Sequence, residues 1–282
     1  MKETALITGA ASGIGLALAK EFAKNGHNLV LTSRVQTELR EVAAELTSQH
    51  NIQVGTIPAD LEQPGAAEQL REAVQREGII IDILVNNAGL GYRGKFWEIP
   101  LEDQLRIVRV NIEAVVRLTH LFLPPMINRN NGRILNTASI AGFEPGPLMA
   151  VYHASKAFVL SFTEAIATEL EETDITVTAL CPGATDTDFF PKAGMMDTKA
   201  FQKGPVMAPQ EVADIAYKAL MRGDRTVVAG GANKAMVFAR RFMTEGAQAK
   251  MNKKFYEPAE PAQRKRHRGD FERKAAEKEL SE

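Results

Sequence analysis

The chain has 282 residues, of which 45% are apolar and 24% are charged, so it is long enough for one large α/β domain and too apolar to be wholly disordered. Lysine plus arginine number 34 and aspartate plus glutamate 35, and the resulting formal charge of −1 argues against a protein that coats nucleic acid. The single cysteine, Cys181, excludes an intramolecular disulfide and a thiolate-rich metal cluster.

Short β-branched or apolar runs alternate along the chain with helical patterns. In chain order the predicted strands are residues 4–8, 28–33, 53–57, 82–86, 133–139, 176–180 and 226–229, and the predicted helices are residues 13–25, 36–49, 63–77, 101–128, 151–173 and 209–221. This alternation predicts an α/β fold with a doubly wound, Rossmann-like parallel sheet of about seven strands. Ligands of such sheets bind beyond the carboxyl ends of the strands, so we expect functional residues there.

The composition changes near residue 231, which predicts a nucleotide-binding domain over residues 1–231 and a C-terminal extension over residues 232–282. Within the extension, Phe238, Phe242, Ala249 and Tyr256 share one side of a helical pattern, which predicts an amphipathic helix packed on the body or on a partner subunit. The last stretch is nearly all charge. A basic cluster at residues 264–268 could contact nucleic acid or acidic lipid, but the acidic residues beside it favour a solvated or weakly helical tail.

The N-terminal residues lead directly into the first predicted strand and lack the pattern of a secretory signal. The chain also lacks an uncharged apolar run of the length that spans a bilayer, about 18 residues. We therefore expect a cytoplasmic protein. The five histidines are scattered without metal-ligand spacing, so we predict no metal site.

A glycine-rich turn links the first predicted strand to the first predicted helix. Residues 8–15 read TGAASGIG, so Gly9, Gly13 and Gly15 allow a tight turn and a close approach of the backbone to a phosphate. The helix that follows presents free N–H groups, near Ser12 and Ile14, to the same phosphate. The alternative is a tight strand–helix connection that binds no ligand. No Gly-Lys-Ser/Thr follows, which excludes a P-loop.

The end of the second predicted strand bears on the choice between two nicotinamide cofactors. Folds that bind NAD place an acidic residue there to hold the ribose 2′-hydroxyl, whereas this chain has Ser33 and Arg34. A guanidinium suits a 2′-phosphate, so the pattern favours NADP. The alternative is that Arg34 is a solvent-facing loop charge.

A possible catalytic group begins the long helix after the fifth predicted strand. Tyr152 and Lys156 are four residues apart and share one helical face, and an ammonium beside a phenol favours the phenolate. Ser139 ends the preceding strand, from which its hydroxyl can reach the same pocket. Taken alone, this spacing also fits a surface pair on an amphipathic helix.

Seven motifs follow one another in order over residues 4–230. They are the glycine turn at 8–15, Asp60 after the third strand, Asn86-Asn87-Ala88-Gly89, Asn111, Ser139, Tyr152-x-x-x-Lys156, and Pro182-Gly183 followed by Thr185 and Thr187. With them the chain resembles the short-chain dehydrogenase/reductase superfamily.

The resemblance implies an NADP-dependent oxidoreductase that interconverts a carbonyl compound and an alcohol. It makes Tyr152 the general acid and base, Ser139 a hydrogen-bond donor to the substrate oxygen, and Lys156 a group that lowers the pKa of Tyr152 and holds the nicotinamide ribose. It also makes Asn111 the anchor of a water that links Lys156 to solvent. A helix-kinking polar residue is the alternative for Asn111.

The resemblance also implies which residues contact the cofactor. The implied contacts are Gly9, Ser12, Gly13, Ile14 and Gly15 at the phosphates, Ser33 and Arg34 at the 2′-phosphate, Asp60 and Leu61 at the adenine, Asn87, Ala88 and Gly89 at the adenosine ribose, and Tyr152, Lys156, Pro182, Gly183, Thr185 and Thr187 at the nicotinamide side.

Three segments are expected to form the substrate pocket, residues 90–97, 140–149 and 185–207. The last resembles a lid and carries Phe189, Phe190, Met195, Met196 and Phe201, which favours an apolar carbonyl substrate. The resemblance also implies a homodimer or homotetramer formed through the helices at 101–128 and 151–173. Cys181 is expected to be a packed thiol, and His153 lies at the edge of the expected pocket.

Two other functions stay open on the sequence. A nucleotide-sensing regulator would keep this fold without catalysis, although the intact Ser139, Tyr152 and Lys156 count against it. A scaffold would act through the charged tail instead.

Overall fold

The computed structural model describes residues 2–279 and is built on a parallel sheet of seven strands. In chain order the strands are β1 (Thr4–Thr8), β2 (Asn28–Thr32), β3 (Val54–Thr56), β4 (Ile83–Asn86), β5 (Gly132–Thr137), β6 (Ile175–Cys181), β7 (Ala184–Thr185), β8 (Val206–Met207) and β9 (Thr226–Val228). The sheet has the order β3-β2-β1-β4-β5-β6-β9, while β7 and β8 pair separately. The predicted doubly wound α/β fold is confirmed.

Helices cover both faces of this sheet. They are α1 (Gly13–Lys24), α2 (Gln36–Gln49), α3 (Ala66–Arg76), α4 (Leu101–Val108), α5 (Ala114–Arg129), α6 (Ala150–Glu169), α7 (Phe189–Lys192), α8 (Lys199–Lys203), α9 (Pro209–Arg222), α10 (Gly231–Arg240), α11 (Glu245–Tyr256) and α12 (Asp270–Glu279). Along β1, Leu6 faces one apolar core and Ile7 the other, and neither is exposed to solvent. A strand buried on both faces explains the continuous apolar runs in the sequence.

The helix predicted over residues 101–128 is interrupted. α4 and α5 are separated by a π-helical turn at Arg109–Glu113. Asn111 lies in this turn and uses its side-chain amide to bind the backbone of Leu90 in both directions, at 3.0 Å each. A π-helical turn places an extra residue in a helix, and such turns are frequent at functional sites. Here the turn directs the side chain of Asn111 at the loop after β4.

The sequence analysis missed the short elements β7, β8, α7 and α8. They contain two to five residues each, too few for a helical or strand period to be visible. Together they form a compact segment between β6 and α9 in which Phe201 is fully buried and Phe190 and Met195 are nearly so.

The single amphipathic helix predicted within the extension is wrong. α10 and α11 are separate helices, because the chain turns after Arg240 and Thr244 begins α11 by accepting a hydrogen bond from the N–H of Ala247. The predicted common face is therefore broken. Phe238 and Phe242 are 61% and 80% exposed, whereas Tyr256 packs inward against the core around Phe201.

The tail is expected to be solvated or weakly helical; α12 is helical and Arg264 and Lys265 are exposed, but the expectation is wrong for Arg266 and Arg268. Arg266 donates from its guanidinium to the carbonyls of Phe201 and Gly204, at 3.0 and 2.7 Å. Arg268 reaches Asp186, a carboxylate with no solvent exposure, which also accepts hydrogen bonds from two backbone N–H groups of the tail, those of Gly269 and Phe271. The tail is anchored because it supplies the charge and donors that this buried carboxylate needs.

Among residues 2–279, none of the helices combines the length and the apolar character needed to cross a bilayer.

Replacing Arg268 with alanine should lower the free energy of unfolding by about 1–3 kcal/mol, because Asp186 loses its charged partner and keeps only backbone donors. The shift in midpoint of thermal or urea denaturation measures this loss. Arg273→Ala is the matched control, since Arg273 pairs with Asp270 at the surface, where ion pairs contribute about 0–1 kcal/mol. Equal midpoints for the two variants would contradict the anchoring of the tail.

Candidate active site

A cavity of about 680 Å³ opens at the carboxyl ends of the central strands, where the strand order reverses between β1 and β4. It is lined by nearly all the residues that the sequence singles out: Gly9, Ser12, Gly13, Ile14, Ser33, Arg34, Asp60, Leu61, Asn87, Ala88, Gly89, Ser139, Tyr152, Lys156, Pro182, Gly183, Thr185 and Thr187. Gly15 and Asn111 are not among the lining residues. The predicted motifs, spread over 180 positions of sequence, therefore meet in one place.

The glycine turn is shaped by close approaches that only glycine permits. Gly9 and Gly13 have φ values of +67° and +57°, and a Cβ on Gly15 would lie 2.1 Å from the carbonyl oxygen of Gly9. α1 starts directly after this turn, and Ser12 at its N-cap makes no side-chain capping bond. The first N–H groups of α1 are therefore left for a ligand with negative charge, as a pyrophosphate requires.

Thr8 joins the glycine turn to the loop after β4, a role that the sequence analysis did not assign to it. Its hydroxyl accepts hydrogen bonds from the N–H groups of Asn87 and Ala88, both at 2.9 Å, and donates to the carbonyl of Val85 at 3.2 Å. The amide of Asn87 donates in return to the carbonyl of Thr8. These bonds fix the two sides of the cavity floor relative to each other.

The end of β2 offers polar groups to the cavity. Within the described part of the chain, Ser33 Oγ is buried and has no hydrogen-bond partner. Arg34 is half-exposed and lies 3.3 Å from Glu62, which Arg106 binds with two hydrogen bonds of 2.7 and 2.8 Å. Two guanidinium groups thus meet Glu62, and Arg106 also reaches Asp103 at 3.4 Å. The half-exposed guanidinium of Arg34 and the unpaired hydroxyl of Ser33 fit an anionic group such as a phosphate.

The segment after β6 closes over the glycine turn. A Cβ on Gly13 would lie 3.0 Å from Thr187 Cγ2, so the two segments pack directly on each other. Thr185 Oγ1 donates to the carbonyl of Gly183 at 3.1 Å, and the N–H of Phe189 donates to Thr187 Oγ1 at 3.3 Å. These local bonds hold the segment in its bent path over the cavity.

Tyr152 lies in the first turn of α6 and is partly buried where it lines the cavity. Burial raises the pKa of its phenol to about 12, against a smaller lowering by a hydrogen bond with Ser139. Ser139 precedes a 3₁₀ turn at Ile140–Phe143, and its oxygen accepts a hydrogen bond from the N–H of Ala141 at 3.1 Å. The phenol therefore holds its proton at neutral pH and faces a fixed hydroxyl.

Lys156 is buried one turn further along α6. Its Nζ donates to the carbonyl of Thr137 at 2.7 Å and lies 5.8 Å from the centre of the Tyr152 ring. Burial lowers the pKa of this amine to about 8. The protein alone does not display the expected lowering of the Tyr152 pKa by Lys156, because desolvation raises the pKa of the phenol and only the weaker hydrogen bond with Ser139 opposes it.

Asn111 lies behind the cavity wall beside these groups. Besides its two bonds to Leu90, its amide donates to Ser155 Oγ at 3.0 Å. A Cβ on Gly89 would lie 3.4 Å from both Asn111 Oδ1 and Lys156 Nζ, so Gly89 separates the amide from the ammonium with no room to spare. The sequence predicted this neighbourhood but not the direct bonds to the loop after β4.

The substrate side of the cavity combines all three predicted segments. Phe189, Phe190 and Met195 line it, whereas Met196 and Phe201 pack behind. Cys181 is fully buried, and burial raises the pKa of its thiol to about 12, so it is a packed core residue as expected.

Sequence reasoning missed the contribution of the C-terminal extension to this cavity. Met236, Arg240, Asn252, Phe255 and Tyr256 all line it. The guanidinium of Arg240 is buried against the carboxylate of Glu144, and burial lowers its pKa. One signal was available in the sequence, since polar residues on the face of α10 opposite to Phe238 indicate a helix whose buried side is not purely apolar.

The sequence itself matches a known family. A family model described as short chain dehydrogenase matches residues 3–198. The chain is 36% identical over 220 residues to an uncharacterized oxidoreductase of Staphylococcus saprophyticus, a match that covers 78% of this chain and 92% of the relative. It is 39% identical over 184 residues to the very-long-chain 3-oxoacyl-CoA reductase of Anas platyrhynchos, covering 63% of this chain but only 58% of that protein.

Solved structures of similar proteins share the fold. A short-chain dehydrogenase of Sphingobium yanoikuyae in complex with NADPH is 33% identical with a TM-score of 0.76, and the match covers 85% of this chain and 94% of that one. A short-chain dehydrogenase/reductase of Burkholderia phymatum in complex with NAD is 26% identical with a TM-score of 0.78, covering 92% and 97%. Relatives thus bind both forms of the cofactor.

Replacing Gly15 with alanine should weaken NADPH binding about tenfold or more, a change of about 1.4 kcal/mol, because the added Cβ would collide with the Gly9 carbonyl and distort the phosphate-binding turn. Titration of the nicotinamide fluorescence measures the affinity. Gly246→Ala in α11 is the control, since a Cβ there meets nothing within 4 Å. Unchanged affinity in Gly15→Ala would remove this turn from the binding site.

Proposed function

The chain belongs to the short-chain dehydrogenase/reductase superfamily, and on that basis we propose that it is an NADP(H)-dependent oxidoreductase that interconverts a ketone or aldehyde with the corresponding alcohol. The observation that carries the proposal is one cavity in which Ser139, Tyr152 and Lys156 adjoin a glycine turn suited to a dinucleotide. A catalytically silent regulator would have no need of this group, and we do not propose it.

In the reduction, the substrate carbon gains a hydride and the substrate oxygen gains a proton. The nicotinamide supplies the hydride when bound. Tyr152 donates the proton from its phenol, which burial keeps protonated, and it takes the proton back in the oxidation. Ser139 donates a hydrogen bond to the substrate oxygen as negative charge develops there. Lys156 contributes positive charge beside the phenol. Asn111 would anchor a water that links Lys156 to solvent.

The proposed cofactor site extends across the cavity from the turn at β1 to the loop after β6. The phosphates would be held by Gly9, Ser12, Gly13, Ile14 and Gly15, the adenine by Asp60 and Leu61, and its ribose by Asn87, Ala88 and Gly89. On the nicotinamide side the contacts are Tyr152, Lys156, Pro182, Gly183, Thr185 and Thr187. The fit rests on the close backbone approach at Gly9 and Gly15 and on the free N–H groups that begin α1.

We assign the cofactor as NADP rather than NAD because of the end of β2. The position that an acid would occupy in an NAD site is held by Ser33 and Arg34, and Ser33 Oγ is buried without a partner among residues 2–279. Arg106 binds Glu62 with two hydrogen bonds, so the half-exposed guanidinium of Arg34 stays able to bind a 2′-phosphate.

The remaining assignments concern substrate, assembly and location. Apolar side chains of the segment after β6 favour an apolar carbonyl compound as the substrate.

The surfaces of α4 and α6 expose four large apolar side chains, those of Leu101, Leu105, Val108 and Phe158. This exposure favours a homodimer or homotetramer formed through these helices. Residues 1–231 would form the catalytic domain and residues 232–282 an extension that closes its cavity. A cytoplasmic location remains a prediction.

Replacing Tyr152 with phenylalanine should lower kcat for carbonyl reduction by about 10²–10⁴-fold, the usual contribution of a general acid. NADPH affinity should stay close to that of the wild type, because the aromatic ring is kept. The loss of NADPH absorbance with a panel of ketones and aldehydes measures turnover. A variant with wild-type turnover would refute the assignment of Tyr152 as the acid.

The pH dependence should report Lys156. Since burial lowers the pKa of its amine to about 8, the ammonium predominates below that pH and is lost above it. kcat/KM for NADPH, which reports groups of the free enzyme, should therefore fall about tenfold per pH unit above about pH 8. In Lys156→Arg the fall should be absent because a guanidinium stays charged. A flat wild-type profile up to pH 10 would contradict this role.

Replacing Arg34 with aspartate should lower the preference for NADPH over NADH, measured as a ratio of kcat/KM values, by about 10–100-fold. The change removes a charged hydrogen bond worth about 1.5–3 kcal/mol and adds a carboxylate that repels the 2′-phosphate. Arg40→Asp on the exposed side of α2 makes the same charge change outside the cavity and should leave the ratio unaltered. If Arg34→Asp keeps the NADPH/NADH ratio of the wild type, Arg34 is excluded from the cofactor site.

A further inference from the structure

A tyrosine of the extension is hydrogen-bonded to the residue next to the proposed general acid. Tyr256, the last residue of α11, places its hydroxyl 2.7 Å from Nε2 of His153. The His153 ring stands edge-on between two phenol rings, 6.1 Å from the centre of Tyr152 and 5.5 Å from that of Tyr256. Both tyrosines line the cavity, so the extension brings a second phenol to the reacting end of the substrate site.

The bonds of His153 fix the direction of every proton in this pair. Nδ1 lies 2.9 Å from the carbonyl oxygen of Glu144, and a carbonyl can only accept, so Nδ1 carries the hydrogen. Burial lowers the pKa of His153 to about 4, so the ring is neutral near pH 7 and Nε2 bears a lone pair. Nε2 therefore accepts, and the Tyr256 hydroxyl donates.

In this arrangement the phenol oxygen of Tyr256 can accept a hydrogen bond from a ligand in the cavity but cannot donate one. Its single hydrogen is directed at His153, so towards the cavity it has lone pairs and no donor. Tyr256 packs against an apolar cluster that includes Met149, Phe190, Met195 and Phe201, and the guanidinium of Arg240 also acts on its phenol. The oxygen can therefore accept a second hydrogen bond from a ligand that supplies a donor, and such a bond is worth about 0.5–1.5 kcal/mol.

We propose that Tyr256 is a specificity-determining residue, oriented by His153, that selects carbonyl substrates carrying a hydroxyl group close to the reacting carbon. The inference rests on the proposed reductase function and adds to it a substrate class, hydroxyketones and the diols that they form. The substrate hydroxyl donates to the Tyr256 oxygen while the carbonyl oxygen faces Tyr152 and Ser139. Residue 256 lies outside residues 3–198, which match the family model, so the proposal concerns a feature of this chain's own extension.

Two matched pairs of ketones test the proposal with NADPH as the reductant. The first pair is 2-hydroxyacetophenone and acetophenone, and the second is 3-hydroxy-1-phenylpropan-1-one and propiophenone, so that the hydroxyl sits on the α or the β carbon. The wild type should prefer the hydroxyketone of at least one pair by about tenfold in kcat/KM, the scale of one well-made hydrogen bond. In Tyr256→Phe, which removes the oxygen and keeps the ring, this ratio should fall to about 1.

The chain contains a matched control for the substitution. Tyr217 also places its hydroxyl on a histidine, 2.9 Å from Nε2 of His27, but neither residue lines the cavity. Tyr217→Phe removes the same kind of bond and should keep the wild-type ratio. A ratio that falls equally in both variants would mean that the effect is general destabilisation, and it would overturn the proposal.

The outcomes separate the specificity of Tyr256 from the function of the enzyme. If the wild type reduces the parent ketones but shows no preference for a hydroxyl, or if the preference survives in Tyr256→Phe, the proposal is overturned and the reductase function stands. If the wild type reduces none of the four ketones, both are contradicted. Should Tyr256→Phe fail to fold, inhibition of the wild type decides: 1-phenylethane-1,2-diol should inhibit about tenfold more strongly than 1-phenylethanol, and equal inhibition overturns the proposal.

Discussion

The burial of Lys156 and the partial burial of Tyr152 are the constraint on which the proposed chemistry depends. Burial raises the pKa of the phenol to about 12 and lowers that of the amine to about 8, so both groups are shifted towards their neutral forms. A phenol that keeps its proton is ready to donate it to a substrate oxygen. An amine that titrates near pH 8 is still largely charged at neutral pH, and it can support the phenolate that forms when the proton leaves.

The C-terminal part of the chain helps to maintain this burial. α10 and α11 line the cavity, and the residues that follow them bind the outer side of the segment after β6. The N–H of Ala259 donates to the carbonyl of Asp197 at 2.7 Å. Arg266 binds the backbone of this segment, and Arg268 binds its carboxylates. The buried carboxylate of Asp186 makes this attachment specific, since it needs donors that the tail supplies. The C-terminal extension and the segment after β6, which lines the cavity beside the catalytic residues, therefore pack together as one unit.

Much of the fold and the proposed site could be predicted from the sequence because their signals are local. β1 and α2 have the predicted bounds, as the apolar runs and helical periods are long enough to define them. The glycines of the turn, Ser139, Tyr152 and Lys156 follow strands of a parallel sheet, so the fold class alone places them at one edge. Asn111 was found by its motif, although the π-helical turn that aims it left no trace in the helical pattern.

The contacts that the sequence did not reveal are those made across long separations. Tyr256 meets His153 across 103 positions, and Arg268 meets Asp186 across 82. Residues such as these look like surface residues or a charged tail until the fold buries their partners. The sign of the Tyr152 pKa shift was missed for a related reason, since a Tyr-Lys spacing reveals the ammonium but not the depth of burial that opposes it.

The most direct test of the account follows the hydrogen atoms. Reduction of a carbonyl compound in ordinary water, with NADPH that carries deuterium at both C4 positions of the nicotinamide, should place deuterium on the carbinol carbon of the alcohol. With unlabelled NADPH in D₂O the carbinol carbon should carry no deuterium, because only the exchangeable hydroxyl proton comes from Tyr152 and solvent. Deuterium on carbon from D₂O, or an alcohol without the label of the cofactor, would contradict direct hydride transfer in this cavity.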